Sequence, residues 1–334
     1  MHRTFPRSLP ALALVLALLA VAVAGCGSGS SSAESSAAPT AANGMSADQI
    51  VKESEARMAT VTSASFTVDF GLQVQGDAEK MTDPTAKALL SQGISLHAEG
   101  ASASEPTAVD MTMSLGIAGQ NLEFGMMSDG PKSWIEYQGA WYALDGENAK
   151  SLDKQAGTGA APTEQLKSMG VDPSTWGTEY QLAGTEQLNG VEVYRVTAVA
   201  DAQKLADSLT KAAEDPSLQD KLGGSGGQLG QLSQGLTQNK QQAEELSKSL
   251  KEASVDYWIG VEDQLMYKAQ FDAAMDMTGQ KDMAGVEGLS LTGTVAMSSF
   301  DEPVEVTPPK DAQSFDEFMS QLFGGMLGGS GMLF

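Results

Sequence analysis

The sequence predicts an α+β fold built on one long antiparallel sheet that is apolar on one side and packed there against a few amphipathic helices. Three observations carry this. Apolar and polar residues alternate with period two over stretches longer than the usual strand. Turn signals, Ser128-Asp129-Gly130, Gln138-Gly139 and Asn189-Gly190, separate those stretches. Helical periodicity appears at both ends of the chain, each time after a capping box.

The chain of 334 residues opens on a leader. Arg3 and Arg7 precede an unbroken apolar run from Ala11 to Ala24. As a helix that run rises about 21 Å, short of the roughly 30 Å hydrocarbon core, which fits a secretory signal better than a membrane span. It ends in Val23-Ala24-Gly25-Cys26, a pattern similar to the lipobox of bacterial lipoproteins, and Cys26 is the single cysteine of the chain. The expected division is a signal peptide over 1–25 and a lipidated flexible tether over 26–44, rich in Ser, Ala and Gly. Two acyl chains on Cys26 would hold the protein stably to a membrane, where one would be marginal.

The domain proper is expected over 45–312. Ser46 and Gln49 form the first capping box, and Ile50, Val51, Ser54 and Met58 stripe the helix that follows. From Ser65 the period changes to two: Phe66, Val68, Phe70, Leu72 and Val74 share one face. Thr82-Asp83-Pro84 opens a short helix through Leu89 and Leu90, closed by Gly93. Alternation returns through Val109, Met111, Met113, Leu115 and Ile117, and again through Leu122, Phe124 and Met126. Residues 201–254 read as an insert of surface helices around Leu205 and Leu209, then Leu232, Leu236, Leu246 and Leu250, with a glycine-rich hinge at 223–230. Leu265, Tyr267, Ala269, Phe271, Ala273, Met275 and Met277 make another face, and Leu289, Leu291, Val295 and Met297 the last. The segment 313–334 reads as an amphipathic helix and a glycine-rich tail. Ser314 and Glu317 cap that helix, and its apolar stripe is Phe315, Phe318, Met319, Leu322 and Phe323. It could cover a cavity mouth, lie on a membrane or pack on the sheet; Asp316 and Glu317, with no Lys or Arg on its polar side, favour the sheet.

Composition excludes several function classes. A net charge of −23 is wrong for neutralising nucleic-acid phosphates. One Cys and two His, with His2 in the leader, leave no metal set of the usual N/S type. No GxSxG elbow, P-loop or EF-hand pattern occurs, and no nucleophile–base pair stands out. The glycines of 223–230 lack a following Lys-Ser/Thr, and Glu262-Asp263 sits where a hairpin turn is expected. His97 is expected to face solvent with Ser95 and Glu99. The expectation is a non-enzyme without metal or cofactor.

Four segments carry a family resemblance: Ile50 to Val74, the pair Ser133 to Leu144, the stretch Gly184 to Ala198, and Val255 to Phe271. With the strand exit Phe300-Asp301-Glu302-Pro303 through Pro309, they make the chain similar to the LolA/LolB-like superfamily, and within it to the actinobacterial LppX/LprAFG lipoproteins. Gly260 departs from the pattern, standing where an Asp commonly follows the Trp-Ile pair, and the 201–254 insert is longer than the family's. The resemblance implies a half-open barrel, a curved antiparallel sheet whose concave face is covered by helices and holds acyl chains of lipids or lipoglycans. The implied lining is Phe66, Val68, Phe70, Leu72, Val109, Met111, Met113, Leu115, Phe124, Met126, Tyr267, Phe271, Met275, Leu291, Val295 and Met297. Its methionines suit an adaptable wall, and equally a dry core. The partners expected are the outer side of a cell membrane, through the acyl chains, and a lipid. The competing expectation is a solid-cored surface lipoprotein that contacts another envelope protein.

Overall fold

The computed structural model describes residues 44–81, 84–117, 119–144, 176, 178–201, 203–205, 249–278 and 285–320. The leader with Cys26, the tether, Thr82-Asp83, residues 206–248 of the insert, and Leu322 and Phe323 lie outside them. In chain order the elements are α1 (Ala47–Met58), β1 (Ser63–Gly76), α2 (Pro84–Gln92), β2 (Ile94–Ser104), β3 (Thr107–Ile117), β4 (Gln120–Asp129), β5 (Lys132–Tyr137) and β6 (Ala140–Leu144). There follow β7 (Glu179–Leu188), β8 (Val191–Val199), β9 (Leu250–Gly260), β10 (Met266–Asp276), β11 (Val286–Ser298), β12 (Gln313–Ser314) and a C-terminal helix, α3, over 315–320.

All twelve strands form one sheet in the order β12-β6-β5-β4-β3-β2-β1-β11-β10-β9-β8-β7. Two meanders, β1–β6 and β7–β11, meet where β1 pairs antiparallel with β11 from Ser65 opposite Ser298 to Gly76 opposite Val286. Every pairing is antiparallel except the short parallel contact of β12 with β6. The two ends of the sheet do not pair, so it is open, with helices on one face, as in a half-open barrel.

Register turns the alternation of each strand into rows that cross the sheet. One row runs Leu182, Val196, Tyr257, Ala269, Val295, Val68, Ala98, Met113, Phe124, Tyr137 and Ala140, each paired with the next. It is apolar through eleven strands and defines the inner face. The tight turns follow from their residues. Gln138-Gly139 and Asn189-Gly190 both have positive φ (52° and 79°, 51° and 86°), the two-residue geometry that matches strand twist.

Helix α1 begins as expected: the Ser46 hydroxyl accepts from the Gln49 N–H at 3.3 Å, and Gln49 Oε1 accepts from the Ser46 N–H at 2.9 Å. Its stripe lies on the inner face of β7–β10, where Ile50 and Val51 are buried with Tyr194, Val196, Tyr257 and Ile259. Helix α3 covers the opposite end. Ser314 and Glu317 cap it reciprocally at 3.0 and 3.4 Å, and Phe318 is buried on Tyr137 and Tyr142. Of the three sites open to this helix, the sheet is the one it takes.

Two expectations are corrected. Leu250 is not on a helix of the insert; it is buried and opens β9, opposite Met275, because its apolar side chain completes an inner-face row. Tyr267 does not stay in step with Phe271 and Met275. The register slips between Met266 and Lys268, putting Met266 on the α1 cluster in its place.

Candidate functional site

The inner face is covered unevenly. Over β9–β11 and the second half of β1 it is closely packed: Phe70, Leu72, Phe271, Met275 and Leu291 cluster with Trp176, Leu205, Leu250 and Met277. Those five residues of the expected lining belong to this packed cluster. Val109 and Val295 are also buried. On the other side of β1 the same face is only half-covered. Phe66, Val68, Met111, Met113, Leu115, Phe124, Met126 and Met297 are all partly exposed. They adjoin through register, Met113 opposite Phe124 and Met111 opposite Met126, Phe66 opposite Met297. The result is an apolar strip across β11 and β1–β4, between the α1 cluster at one end and the α3 cluster at the other.

Tyr267 stands apart, its ring edge-on to Phe300 at 5.3 Å and its hydroxyl donating to Asp263 at 2.6 Å. Burial, then the Asp263 bond, push its phenol up to about 12. Asp263 also accepts the Leu265 N–H in the β9–β10 turn, which explains Gly260: a Cβ there would lie 2.0 Å from Asp263 Oδ1. The glycine makes room for that carboxylate.

The outer face is mainly polar, although Met127 and Trp134 are buried on it. His97 faces outward as expected, and Nδ1 is 2.7 Å from Asp69 Oδ1 on the neighbouring strand. The Asp69 bond, with its charge and that of Glu99, raises the imidazole above its ordinary value. Beside it a cleft of about 470 Å³ opens over β2–β5 and the 138–139 turn. At the other end Trp258 is buried between Arg195 and Lys268, 5.3 and 4.3 Å from its ring centre, and its indole N–H donates to Glu186. Arg195 in turn meets Asp256 at 2.6 Å, which holds the guanidinium above its ordinary value. Sequence periodicity missed this cluster and the cleft, since both depend on which polar residues register places side by side. The signal available was the Trp-Ile pair of the strand flanked by Arg195 and Lys268.

Among the described residues no group of three or more His, Cys, Asp or Glu side chains could hold a metal, and no helix is long and apolar enough to cross a membrane. No family model matches the chain, and no curated protein matches it. Solved structures do. The lipoprotein LppX of Mycobacterium tuberculosis is 15% identical, with 77% of this chain and 96% of that one covered at a TM-score of 0.35. LprF of Mycobacterium bovis is 12% identical, with 79% and 96% covered at 0.37. A DUF1329 protein of Desulfovibrio piger is 9% identical, with 77% and 92% covered at 0.20. The functional reading rests on this chain's own geometry.

Proposed function

We propose that the chain is a membrane-anchored lipoprotein on the outer side of the cell membrane, and that it binds an amphiphile on the half-covered apolar strip of its inner face. One observation carries the reading: eight apolar side chains, three of them on β3, lie together on the sheet without being buried as the Phe70, Leu72, Phe271 and Met275 cluster is. A contiguous apolar surface of this kind marks a place where something else binds. Acyl chains fit it chemically, since each CH₂ removed from water contributes roughly 0.8 kcal/mol. Met111, Met113, Met126 and Met297 can follow chains of different shape because the thioether side chain is unbranched.

The chain's residues would act by binding and shielding alone. No proton or electron moves, and no carboxylate points into the strip from the register rows that form it. Cys26 would supply the anchor through its thiol, and the tether would let the sheet reach away from the bilayer. Native mass spectrometry tests the carriage. A chain made without residues 1–26 should retain lipid masses through detergent-free purification, and a Met113→Asp variant should lose them while keeping its circular dichroism spectrum. Lipid-free protein from every preparation would leave the solid-cored reading.

A further inference from the structure

The outer face carries a second concavity that the apolar strip does not use. The cleft of about 470 Å³ is lined by His97, Ser114, Asn121, Glu123, Gly125 and Glu136, with Thr112 and the 138–139 turn at its margin. Pockets of about 300–1,000 Å³ are the size that holds small ligands. Its floor exists because of Gly125. A Cβ there would lie 2.8 Å from both Cβ and Oε2 of Glu136, and 3.3 Å from Cη2 of Trp141. The glycine lets the Glu136 carboxylate lie across β4 beside the rim of that indole.

The chemistry of the wall selects among ligands. None of the lining residues is Lys or Arg, and the one imidazole, His97, is already paired with Asp69 at 2.7 Å, so an anion finds no free cation there. By register, Met113, Leu122, Phe124 and Tyr137, which border it, belong to the inner-face rows, and the residues that alternate onto the cleft's own face, Thr112, Ser114, Asn121, Glu123 and Glu136, are polar and suit an acyl chain poorly. What remains is a mixture of donors and acceptors. Ser114 donates to Asn121 at 2.8 Å, and the Asn121 amide donates to Glu123 at 3.2 Å. Among the described residues, the Glu136 carboxylate and Thr112 hydroxyl make no hydrogen bond. Carboxylate and amide oxygens held side by side accept from neighbouring hydroxyls, and an indole rim covers a C–H surface. The geometry points to a saccharide site on the outer face of β3–β6, formed where Thr112, Ser114, Asn121, Glu123 and Glu136 ring the notch of Gly125 beside Trp141. The sugar could be a free glycan or the head of a glycolipid; the chemistry at the cleft is the same.

The test uses the full chain in lauryldimethylamine oxide, a detergent without a sugar head, against an array of hexose oligosaccharides. The strongest trisaccharide is then titrated by tryptophan fluorescence. Saturable binding is expected. Glu136→Ala should weaken it by about tenfold, as loss of a charged hydrogen-bond partner does. Glu262→Ala, on the distant turn, should leave it unchanged. Gly125→Ala should also weaken it, but Glu136→Ala, outside the packed core, keeps the test valid if Gly125→Ala misfolds. A glycolipid bearing the same sugar tells the sources apart: Met297→Asp, on the apolar strip and away from the cleft, should weaken the glycolipid and spare the free sugar if both faces are engaged by one molecule, and spare both if the free glycan is the ligand. An array with no binder, or binding indifferent to Glu136→Ala, overturns the proposal. So does spermidine binding that depends on Glu136 while sugars fail, since that would make the notch a cation site.

Discussion

His97 on the outer face and Asp301 in the turn after β11 each make a pH-sensitive contact. His97 is the only histidine besides His2, so in a chain made without residues 1–26 its titration can be followed alone by proton NMR. Its midpoint should lie above 6.5 and fall toward that value in Asp69→Asn, because the Asp69 bond is the first cause of the shift. The sign follows. A raised folded pKa contributes stability below pH 6.5, lost as pH rises through the folded value. Asp301 works in the opposite direction. Its carboxylate accepts the Thr62 N–H at 2.8 Å and the Thr62 hydroxyl at 3.1 Å, and faces Arg57, which together hold it below the usual range. That contribution is present above about pH 4 and is lost as pH falls through the lowered value. Asp301→Asn should therefore flatten the acid limb of the melting-temperature profile, and an unchanged limb would contradict the assignment. His97 was legible in the sequence as an outward residue; Asp69 as its partner was not, because the pair depends on the register of β1 with β2.

At the scale of elements, the two helices that flank the strip should differ in what they hold. Ile50, on the sheet-facing side of α1, is fully buried. Ile50→Ala should cost about 2–5 kcal/mol by chemical denaturation, the range for a deleted buried aliphatic side chain. Phe318→Ala should loosen α3 locally, visible as faster amide exchange in β5 and β6 with little change in β8–β10, since Phe318 packs only on the Tyr137 and Tyr142 cluster. Uniform loss of protection across the sheet would contradict that independence. Both capping boxes could be read directly, because Ser and Gln or Glu three residues apart are local signals. The start of β9 could not. Leu250 fits a helical stripe as well as a strand, and only pairing with Met275 decides it. Tyr267 was misplaced for a related reason: alternation cannot register a bulge.

The whole molecule divides one continuous apolar face into a sealed half and a half-covered half. Strict alternation made the face legible strand by strand, while the rows that cross it come from register. It could not say which stretches the helices cover, so the sixteen expected lining residues read alike although Phe271 and Met275 are core while Met111 and Met113 are not. Anchoring is separable from that division. Cys26→Ser should move the protein from the membrane to the soluble fraction and abolish palmitate labelling, and persistence of either would contradict the lipobox reading. The direct test of the account is photo-crosslinking of the full chain with a diazirine-bearing fatty acid, followed by peptide mapping. The account predicts adducts concentrated on β1, β3, β4 and the end of β11, at Phe66, Met111, Met113, Met126 and Met297. Adducts spread evenly over the surface, or none above an unfolded control, would contradict it.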